Sequence, residues 1–308
     1  MSSEQYHTHN MRVSVIIPTY NRADLIDRAL DSVETQDYPD IECIVVDDAS
    51  TDETKKVVES HELDILYLSH DQNKGVAAAR NFGIRSVSGD LILFLDSDDE
   101  LTDTAVSSLV THYTATSDQC ACVFGKRKDI DEQGNESIQS YSPKIDLEDY
   151  INGDDFGGAG GKMYPTWVFE KFGLFDENIH SGQTLDYFFR LTDAGYHFES
   201  IEEITFNRYL HADNLSIGFD QKVQSEKYLQ EKHRDKLPRK KWAIRLASVA
   251  RRAAELNRMS DARKYFRWAI KLHPSRPLLY YYFVSACLGR RGYSTMFQFK
   301  EFVRRKTT

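Results

Sequence analysis

Two aspartates separated by one residue, Asp96 and Asp98, directly follow an apolar run at 89–95 that is typical of a buried β-strand. Mg²⁺ and Mn²⁺ prefer oxygen ligands, and proteins commonly hold them with one or two carboxylates plus phosphate oxygens and water. In an extended segment the two side chains point the same way, so one can bind a cation while the other binds a neighbouring hydroxyl. The pair therefore predicts a site at which a divalent cation neutralises phosphate charge. A solvated acidic turn, or Asp99 capping the next helix, is the alternative.

Other polar segments also follow predicted strands. The segment Pro18-Thr-Tyr-Asn-Arg22 follows an apolar run at 13–17, and the loop at 47–52 follows a second run at 41–46. In an open α/β sheet, ligands bind outside the carboxyl ends of the strands. We therefore expect these segments to gather around the aspartate pair at one edge of the sheet.

The elements that must position these residues can be predicted from the first half of the chain, which alternates apolar β-rich runs with helical patterns. This alternation predicts a mostly parallel sheet flanked by helices, as in Rossmann-like folds of the α/β class. The run at 89–95 is almost wholly apolar and is predicted to be a central strand. The predicted strands are 13–17, 41–46, 64–69 and 89–95, and the predicted helices are about 23–34, from about 52 onward, and 75–86.

The second half of the chain has a weaker pattern and then a different texture. Val123 begins a further predicted strand, the glycine-rich segment 154–161 is predicted to act as a lid, and a helix is predicted over 184–194. The chain then becomes basic and amphipathic, and we place the domain boundary near Leu237-Pro238. Helices are predicted at about 240–256, 261–272, 277–288 and 295–305. The predicted parts are an N-terminal tail (1–11), an α/β domain (12–235) and a basic all-α C-terminal extension (236–308).

Charge is unevenly distributed along the chain. The net charge is -9, yet the segment from Arg239 to the end holds 18 Lys and Arg against 3 Asp and Glu, a balance of +15. A basic segment of this kind could meet an anionic membrane surface or the acidic remainder of the protein. No nucleic-acid recognition motif accompanies it, so nucleic acid is not an expected partner.

The cysteines and the apolar runs indicate the compartment. No run of 18 apolar residues and no apolar signal-peptide core is present, so neither a membrane span nor secretion is expected. The four cysteines show no CxxC pair and are expected to be buried free thiols in a reducing cytosol. A cytoplasmic protein is predicted, with peripheral contact at the inner face of the cell membrane as an open alternative. The cysteines are Cys43, Cys120, Cys122 and Cys287.

Five segments, in this order, resemble those of the family 2 glycosyltransferases, which share the GT-A fold. They cover about residues 12–210, and each lies at a predicted strand end or helix start. The resemblance implies an inverting enzyme that takes a sugar from a nucleoside-diphosphate donor with Mn²⁺ or Mg²⁺ as cofactor. The segments are Val13-Ser-Val-Ile-Ile-Pro-Thr-Tyr-Asn-Arg22, Val45-Val-Asp-Asp-Ala-Ser-Thr-Asp52, Asn73-Lys-Gly-Val-Ala-Ala-Ala-Arg-Asn81, Phe94-Leu-Asp-Ser-Asp-Asp99, and Phe169-Glu-Lys-Phe-Gly-Leu-Phe-Asp-Glu177 followed by Leu185-Asp-Tyr187.

The resemblance assigns roles around the aspartate pair. It implies that Asp98 is a metal ligand and that Asp96 and Ser97 contact the ribose or the sugar. It also implies that His211 closes the metal or phosphate site, although a lone histidine on a loop equally suits a surface or packing role.

The resemblance further implies donor contacts from the loops. Asp48 is expected to hydrogen-bond the base or ribose, while one of Asp47 and Asp48 holds the loop together. Arg80 is expected at a phosphate or the base, with a salt bridge to an acidic loop as the alternative. Tyr20 either stacks on the base or packs. The predicted donor contacts are Pro18, Thr19, Tyr20, Arg22, Asp48, Lys74, Arg80, Asp96 and Ser97.

Inverting transfer needs a general base that deprotonates the acceptor hydroxyl. By resemblance this base is the aspartate of a Glu-Asp pair, here matched to Asp186, with Leu185 in place of the usual glutamate. The departure puts acceptor recognition in doubt, and Asp176 or Glu177 is an alternative source of the carboxylate that the missing glutamate would place near the acceptor. A helix N-terminal charge is the structural alternative for Asp186.

The predicted function is transfer of a sugar, of hexosyltransferase type, to a saccharide or lipid-linked acceptor in cell-surface glycan, polysaccharide or glycoprotein biosynthesis. A non-catalytic scaffold that binds a nucleotide sugar is the alternative. In the extension, the spacing of Ala262, Phe266, Ala269 and Pro274 resembles the second helix of a tetratricopeptide repeat. The extension is therefore predicted to be either such a helix pair or a set of membrane-surface helices.

Overall fold

A computed structural model of the chain describes residues 11–152, 156–211, 218–290 and 293. Most of the predicted tail at 1–11 and the whole predicted helix at 295–305 lie outside these ranges. The chain divides into two compact units, Met1–Leu215 and Ser216–Thr308.

The first part of the N-terminal unit is the parallel α/β arrangement that the alternating pattern predicts. Four strands lie in the order β3-β2-β1-β4, and each neighbouring pair is parallel. Their polar carboxyl-terminal loops therefore share one edge of the sheet, as expected. The strands are β1 (Val13–Thr19), β2 (Ile41–Asp47), β3 (Ile65–Ser69) and β4 (Leu91–Phe94), and the helices between them are α1 (Ile26–Glu34), α2 (Thr54–Ser60) and α3 (Val76–Ile84).

The start of α1 differs from the sequence prediction by three residues. The backbone N–H groups of Leu25 and Ile26 both donate to the carbonyl of Arg22, and the N–H of Ala23 donates to the Asp52 carboxylate. The chain after β1 is thus held as a turn against the loop after β2, and the helix begins only after that turn.

The second part of the sheet is mixed and was largely unpredicted. From β4 the order continues β9-β6-β10-β5, with β9 antiparallel to both neighbours and β10 parallel to β6. Among these strands, only the start of β6 was expected from the sequence, and the helix predicted over 184–194 is confirmed as α7 with a shift of one residue at each end. The elements are β5 (Glu100–Leu101), α4 (Ala105–Ala115), β6 (Cys120–Asp131), β7 (Glu136–Gln139), β8 (Lys144–Ile145), α5 (Leu147–Asn152), β9 (Lys162–Pro165), α6 (Thr166–Phe172), α7 (Gln183–Asp193) and β10 (His197–Leu210).

The core fixes the helices that carry site residues. On one face of the sheet, Leu30 of α1 and Leu109 of α4 belong to the buried cluster that includes Leu93 of β4. On the α3 side, a Cβ at Gly83 would lie 2.6 Å from Ile16 Cγ2, so only glycine allows this close approach. This packing holds α3, which carries Arg80, directly against β1.

An aromatic cluster lies behind the end of β4. Phe94 makes edge contacts with Tyr164 of β9 and Phe169 of α6, at centroid distances of 5.9 and 6.1 Å. Phe169 in turn stacks on Tyr187 of α7 at 5.0 Å. Because Phe94 is two residues before Asp96, these rings anchor the backbone that enters the acidic turn.

The C-terminal unit is a set of helices with an alanine-rich core. Ala250 of the first basic helix and Phe266 of the next are fully buried, and both lie in one hydrophobic cluster. Three of the four predicted basic helices are confirmed with shifts of one or two residues at their ends. The helices are α8 (Phe219–Lys232), α9 (Arg239–Glu255), α10 (Met259–Leu272) and α11 (Pro277–Cys287).

The division between the two units lies earlier than the boundary at 235/236 that the sequence suggested. Phe219 and Val223 of α8 are buried in the same hydrophobic cluster as α9 and α10. Helix α8 is therefore part of the helical unit. Its net charge is not strongly basic, which is why a search for basic helices does not find it.

Three of the four cysteines are in the state predicted from the sequence. Cys43, Cys120 and Cys122 are buried free thiols as expected, whereas Cys287 at the end of α11 is exposed, so the expectation of burial was wrong for this residue. No helix within the described ranges combines the length and the apolar character needed to cross a membrane.

Candidate active site

The acidic segment after β4 forms a tight turn. The backbone N–H of Leu95 donates to the carbonyl of Ile16, and the N–H of Asp99 donates to the carbonyl of Asp96. The Asp96 side chain is 38% exposed and that of Asp98 is 15% exposed, while Asp99 is buried. The turn therefore presents the first two carboxylates to solvent and buries the third.

Asp96 is held by an arginine from α3. Arg80 Nη2 donates to Asp96 Oδ1 at 2.7 Å, and the Arg80 side chain is only 7% exposed. A Cβ at Gly160 would lie 3.1 Å from Asp96 Oδ2, so a larger residue there would crowd this carboxylate. The alternative considered for Arg80, a salt bridge to the acidic loop, is thus present, and a direct donor contact stays a prediction.

Asp98 is paired with the predicted histidine. The distance between Asp98 Oδ2 and His211 Nε2 is 3.0 Å. Two neighbouring ligands on an octahedral cation with bonds of about 2.1 Å are about 3 Å apart, so this pair fits a shared Mn²⁺ or Mg²⁺ ion. Remaining ligands would be donor phosphate oxygens and water, and an imidazole ligand favours Mn²⁺ over Mg²⁺.

An arginine and a tyrosine that were not predicted from the sequence support Asp98. Arg28 Nη2 donates to the backbone carbonyl of Asp98 at 2.6 Å, and the Arg28 guanidinium lies 3.6 Å above the Tyr209 ring. The Tyr209 hydroxyl donates to Glu100 Oε2 at 2.7 Å. The polar position of Arg28 on amphipathic α1 was the available signal, but its partner could not be found without knowing how β10 pairs.

Asp99 is a buried carboxyl group in the same turn. Burial, followed by the charges of Asp96 and Asp98, raises the pKa of Asp99 to about 9. The backbone N–H of Tyr209 donates to Asp99 Oδ1 at 3.0 Å, which favours the charged form and opposes that rise. Asp99 thus ties the turn to β10. The alternative role considered for it, as a cap of the next helix, is not observed, since Thr104 is at the N-cap position of α4. Three clustered carboxyl groups make this turn a place where a bound cation offsets electrostatic repulsion.

Asp48 holds the loop that leads into α3. Its two carboxylate oxygens accept the backbone N–H groups of Lys74 at 2.9 Å and Gly75 at 2.6 Å, and its Oδ1 lies 2.7 Å from His70 Nδ1. Asp47 also has protein partners, since its carboxylate accepts the N–H of Ser50. Both acids therefore have a structural role, and the expected contact of Asp48 with a base or ribose stays a prediction.

The segment after β1 is bonded to the loop after β2. The N–H of Asn21 donates to Ser50 Oγ at 2.8 Å, and Asn21 Oδ1 accepts the N–H of Thr51. Tyr20 is 44% exposed, so it does not pack in the core and remains available for stacking. Of the other predicted donor contacts, Pro18, Thr19 and Ser97 are buried, Arg22 is partly buried and Lys74 is exposed.

A cavity of about 430 Å³ opens beside the segment that follows β1. Its volume is within the range of small-molecule sites. The cavity brings together Arg22 and His211, both predicted, with Arg28 and Tyr209, which were not. Asp96, Asp98, Arg80 and Asp48 lie outside its lining.

Asp186, the predicted base, is fully buried in the first turn of α7. Its Oδ2 is 3.2 Å from Arg190 Nε, and Arg190 donates to the backbone carbonyls of Phe172 and Leu174 at 2.8 and 2.7 Å. A general base must reach the hydroxyl that it deprotonates. The structure therefore does not bring Asp186 to an open position in the site, and its role as base stays a prediction.

A second unpredicted contact links this region to α3. Asn81 exchanges two hydrogen bonds of 3.0 Å with the backbone of Phe175, and its Nδ2 donates to Glu177 Oε1 at 2.8 Å. Asn81 follows Arg80 in the chain, so the segment after α6 helps to fix the helix that carries Arg80. Of the two alternative carboxylates, Glu177 is exposed and Asp176 is partly buried.

Solved structures with a similar fold cover nearly the whole chain. Residues 1–349 of TarS from S. aureus in complex with UDP align with 97% of this chain and 92% of that chain, with a TM-score of 0.61 and 20% identity. The same protein in complex with UDP-GlcNAc aligns with a TM-score of 0.59 and 19% identity, covering 96% and 92% of the two chains. These likenesses confirm the expected GT-A-like α/β fold.

Sequence relatives match the α/β part. A GalNAc(5)-diNAcBac-PP-undecaprenol beta-1,3-glucosyltransferase from Campylobacter jejuni is 35% identical over 149 residues, which is 47% of this chain and 47% of the relative. A chondroitin synthase from Escherichia coli is 30% identical over 208 residues, 67% of this chain and 30% of the relative. This chain thus spans less than half the length of either relative. The family model described as glycosyl transferase family 2 matches residues 14–204, more than half of the chain. The chain therefore belongs to glycosyltransferase family 2.

Proposed function

We propose that the protein is an inverting, divalent-metal-dependent glycosyltransferase that transfers a sugar from a nucleoside-diphosphate donor to a saccharide or lipid-linked acceptor. The observation that carries this proposal is the pairing of Asp98 with His211, beside Asp96 held by Arg80, at the end of β4. Family membership and the fold make the donor class the natural ligand of this edge of the sheet.

Among donors, a UDP-sugar is the first choice. TarS, whose fold is similar, was crystallised in complex with UDP and with UDP-GlcNAc. In the present chain the exposed ring of Tyr20, at the end of β1, is available to stack on a base. Asp48 could reach the base or ribose only by sharing a carboxylate that already holds Lys74 and Gly75.

In the proposed mechanism, separate side chains bind the cation, orient Asp96 and fix the backbone of the acidic turn. Asp98 and His211 would hold a Mn²⁺ or Mg²⁺ ion, which supplies charge neutralisation of the departing diphosphate. Arg80 fixes the orientation of Asp96 so that the free edge of this carboxylate can accept a hydroxyl of the ribose or sugar. Arg28 fixes the backbone at Asp98, so the cation ligand does not have to reorganise during transfer.

The general base has two candidate positions. Asp186 is the carboxylate that the family resemblance indicates, but it would need α7 to open before an acceptor could reach it, since its side chain is buried against Arg190. Glu177 is exposed and already oriented by Asn81. The burial of Asp186 is also the observation that favours the alternative function, a non-catalytic protein that binds a nucleotide sugar.

We propose a lipid-linked or polysaccharide acceptor, and hence a role in cell-surface glycan biosynthesis. The relatives from Campylobacter jejuni and Escherichia coli are named for an undecaprenol-linked saccharide and for chondroitin. The excess of Lys and Arg beyond Arg239 suits peripheral contact with the anionic inner face of the cell membrane.

Removal of the metal is expected to stop donor turnover. Purified full-length protein incubated with a panel of UDP-, GDP- and dTDP-sugars and Mn²⁺ should release the nucleoside diphosphate, and EDTA should lower the rate by at least about 100-fold, because a cation contributes several kcal/mol to the transition state. Chromatography of the released nucleotide measures the rate. Excess Mn²⁺ should restore it. Turnover that continues unchanged in EDTA would contradict the metal-dependent mechanism, and nucleotide binding without turnover of any donor would favour the scaffold.

Loss of Arg80 is expected to weaken donor binding. Arg80→Met keeps much of the side-chain volume but removes the charged hydrogen bond to Asp96, which is worth roughly 1.5–3 kcal/mol. The dissociation constant for UDP with Mn²⁺, measured by titration calorimetry, should rise about ten- to hundredfold. Arg85→Ala is the matched control, because Arg85 follows α3, is 57% exposed and makes a long ion pair of 4.0 Å with Glu177. If both variants bound UDP with equal affinity, Arg80 would not contribute to the donor site.

A further inference from the structure

A second group of potential metal ligands lies at the other end of the sheet. Cys120 begins β6, and His197 and Glu199 lie at the start of β10, which is parallel to β6. The sulfur, a ring nitrogen and a carboxylate oxygen of these three residues all lie within 4.8 Å of one another. The active-site contacts of β10, by contrast, are made at its carboxyl end by Tyr209.

The group is largely buried and internally bonded. Cys120 and His197 are 1% and 4% exposed, whereas the Glu199 side chain is 20% exposed. His197 Nε2 lies 2.8 Å from Glu199 Oε1, and His112 Nε2 of α4 lies 2.9 Å from Glu199 Oε2. A carboxylate between two imidazoles and beside a thiol is costly to bury for packing alone, because polar groups lose their hydration there.

We propose that Cys120, His197 and Glu199 form a Zn²⁺ site. Zinc takes cysteine sulfur at about 2.3 Å, histidine nitrogen at about 2.0–2.1 Å and carboxylate oxygen at about 2.0–2.2 Å, so a shift of the side chains by about 1 Å brings all three onto one ion. Mg²⁺ prefers oxygen ligands and does not suit a thiolate. The ligand set thus differs in kind from the Asp98 and His211 pair.

The surroundings complete such a site. His112 holds the outer oxygen of Glu199 and orients it, the role that hydrogen-bonded neighbours of metal ligands commonly play. A cavity of about 250 Å³, lined in part by Gln119, Tyr196 and His197, gives the ion a route from solvent and leaves room for a water as fourth ligand. Zinc binds cysteine as the thiolate, so binding would release the Cys120 proton to solvent.

A bound zinc ion would tie the starts of β6 and β10 together. These two strands extend to Asp129 and Arg208, whose side chains form an ion pair at 2.9 Å, and β10 also supplies the Tyr209 contact to Asp99. The site would therefore stabilise the pair of strands that supports the acidic turn. This inference is independent of the proposed sugar transfer, since it concerns a different end of the sheet and different ligand chemistry.

Cobalt absorbance tests the proposal directly. Full-length protein stripped with a chelator and titrated with Co²⁺ should take up one equivalent with a thiolate-to-cobalt charge-transfer band and the intense visible bands of a tetrahedral ion, and Zn²⁺ should displace it. Co²⁺ at Asp98 would give no thiolate band, so the two sites are distinguished. The band should be lost in Cys120→Ser and kept in Cys287→Ser, which removes the exposed thiol. Absence of the band in the unaltered protein, or its loss in Cys287→Ser alone, would overturn the proposal.

Two milder variants keep the test valid if Cys120→Ser does not fold, which circular dichroism would reveal. Glu199→Gln keeps the thiol and the side-chain volume, and the dissociation constant for Co²⁺ should rise at least tenfold. His112→Gln removes only the outer partner, and a rise of about 10- to 100-fold is expected. An unchanged dissociation constant for Co²⁺ in Glu199→Gln would show that the ion does not use this carboxylate and would contradict the proposal.

Discussion

Asp98→Ala is expected to lower donor turnover by about 10²–10³-fold while leaving the protein folded. The substitution removes the carboxylate that lies 3.0 Å from His211 Nε2, and with it the stronger of the two proposed protein ligands for the cation. A loss of about 3–4 kcal/mol in transition-state stabilisation, typical when one preorganised electrostatic group is removed, corresponds to this factor. The rate of nucleotide release at saturating Mn²⁺ and donor measures it.

The controls for Asp98 separate chemistry from folding. Asp64 lies just before β3, at the opposite end of the sheet, and is exposed, so Asp64→Ala should turn over like the unaltered enzyme. The melting temperature of Asp98→Ala should fall little or even rise, because Asp98 adds to the repulsion that raises the pKa of Asp99. If Asp98→Ala turned over as fast as Asp64→Ala, the acidic turn would not be the cation site.

The parallel half of the sheet could be predicted because its signals are local. Each of β1 to β4 is a short apolar run, and the donor-side residues follow directly in sequence, so Asp48 and Asp96 could be assigned to one edge before any pairing was known. A salt bridge from Arg80 to an acidic loop was also foreseen, as an alternative, but Asp96 was not identified as its partner. Helix ends were less accurate because turns such as Arg22 to Ile26 are set by bonds from another loop.

The support beneath the site could not be predicted because it depends on residues far apart in the sequence. Leu101 pairs with Phe206 across more than 100 residues, and this pairing brings Tyr209 to Asp99 and Arg28. The strands β9 and β10 join the sheet in an order that no local pattern specifies. From the sequence alone, Arg28 could not be distinguished from the other polar residues on the amphipathic helix α1.

Asp186 shows a different limit, in which the sequence pattern fits two roles equally well. A carboxylate in the first turn of a helix suits a base that faces an acceptor, and it also suits a buried partner of the arginine four residues later. Only the burial of Asp186 and the bonds from Arg190 to the carbonyls of Phe172 and Leu174 favour the second role. Through this segment the pair also supports Phe175, which Asn81 holds beside Arg80.

Asp186→Asn is therefore expected to act mainly on stability. Breaking a buried ion pair by removing one partner costs about 3 kcal/mol, and the melting temperature of a unit of this size should fall by about 6–12 °C. Arg190→Gln should cause a similar fall, and the double variant should be little worse than either single one, because both substitutions break the same pair. Asp193→Asn, on the exposed end of the same helix, is the control.

Kinetics of the same variants decide between a positioning residue and a base. Measured well below the melting temperature, kcat of Asp186→Asn should stay within about tenfold of the unaltered enzyme, since a general base contributes about 10²–10⁴-fold and a positioning pair contributes less. The value for Arg190→Gln should be similar. A base gives a different result, in which kcat falls by about 10²–10⁴-fold in Asp186→Asn and only slightly in Arg190→Gln, and the pH profile loses its acidic limb. That outcome would identify Asp186 as the general base and would require α7 to open during turnover. Equal, modest losses in both variants would instead favour an exposed carboxylate such as Glu177 as the group that deprotonates the acceptor hydroxyl.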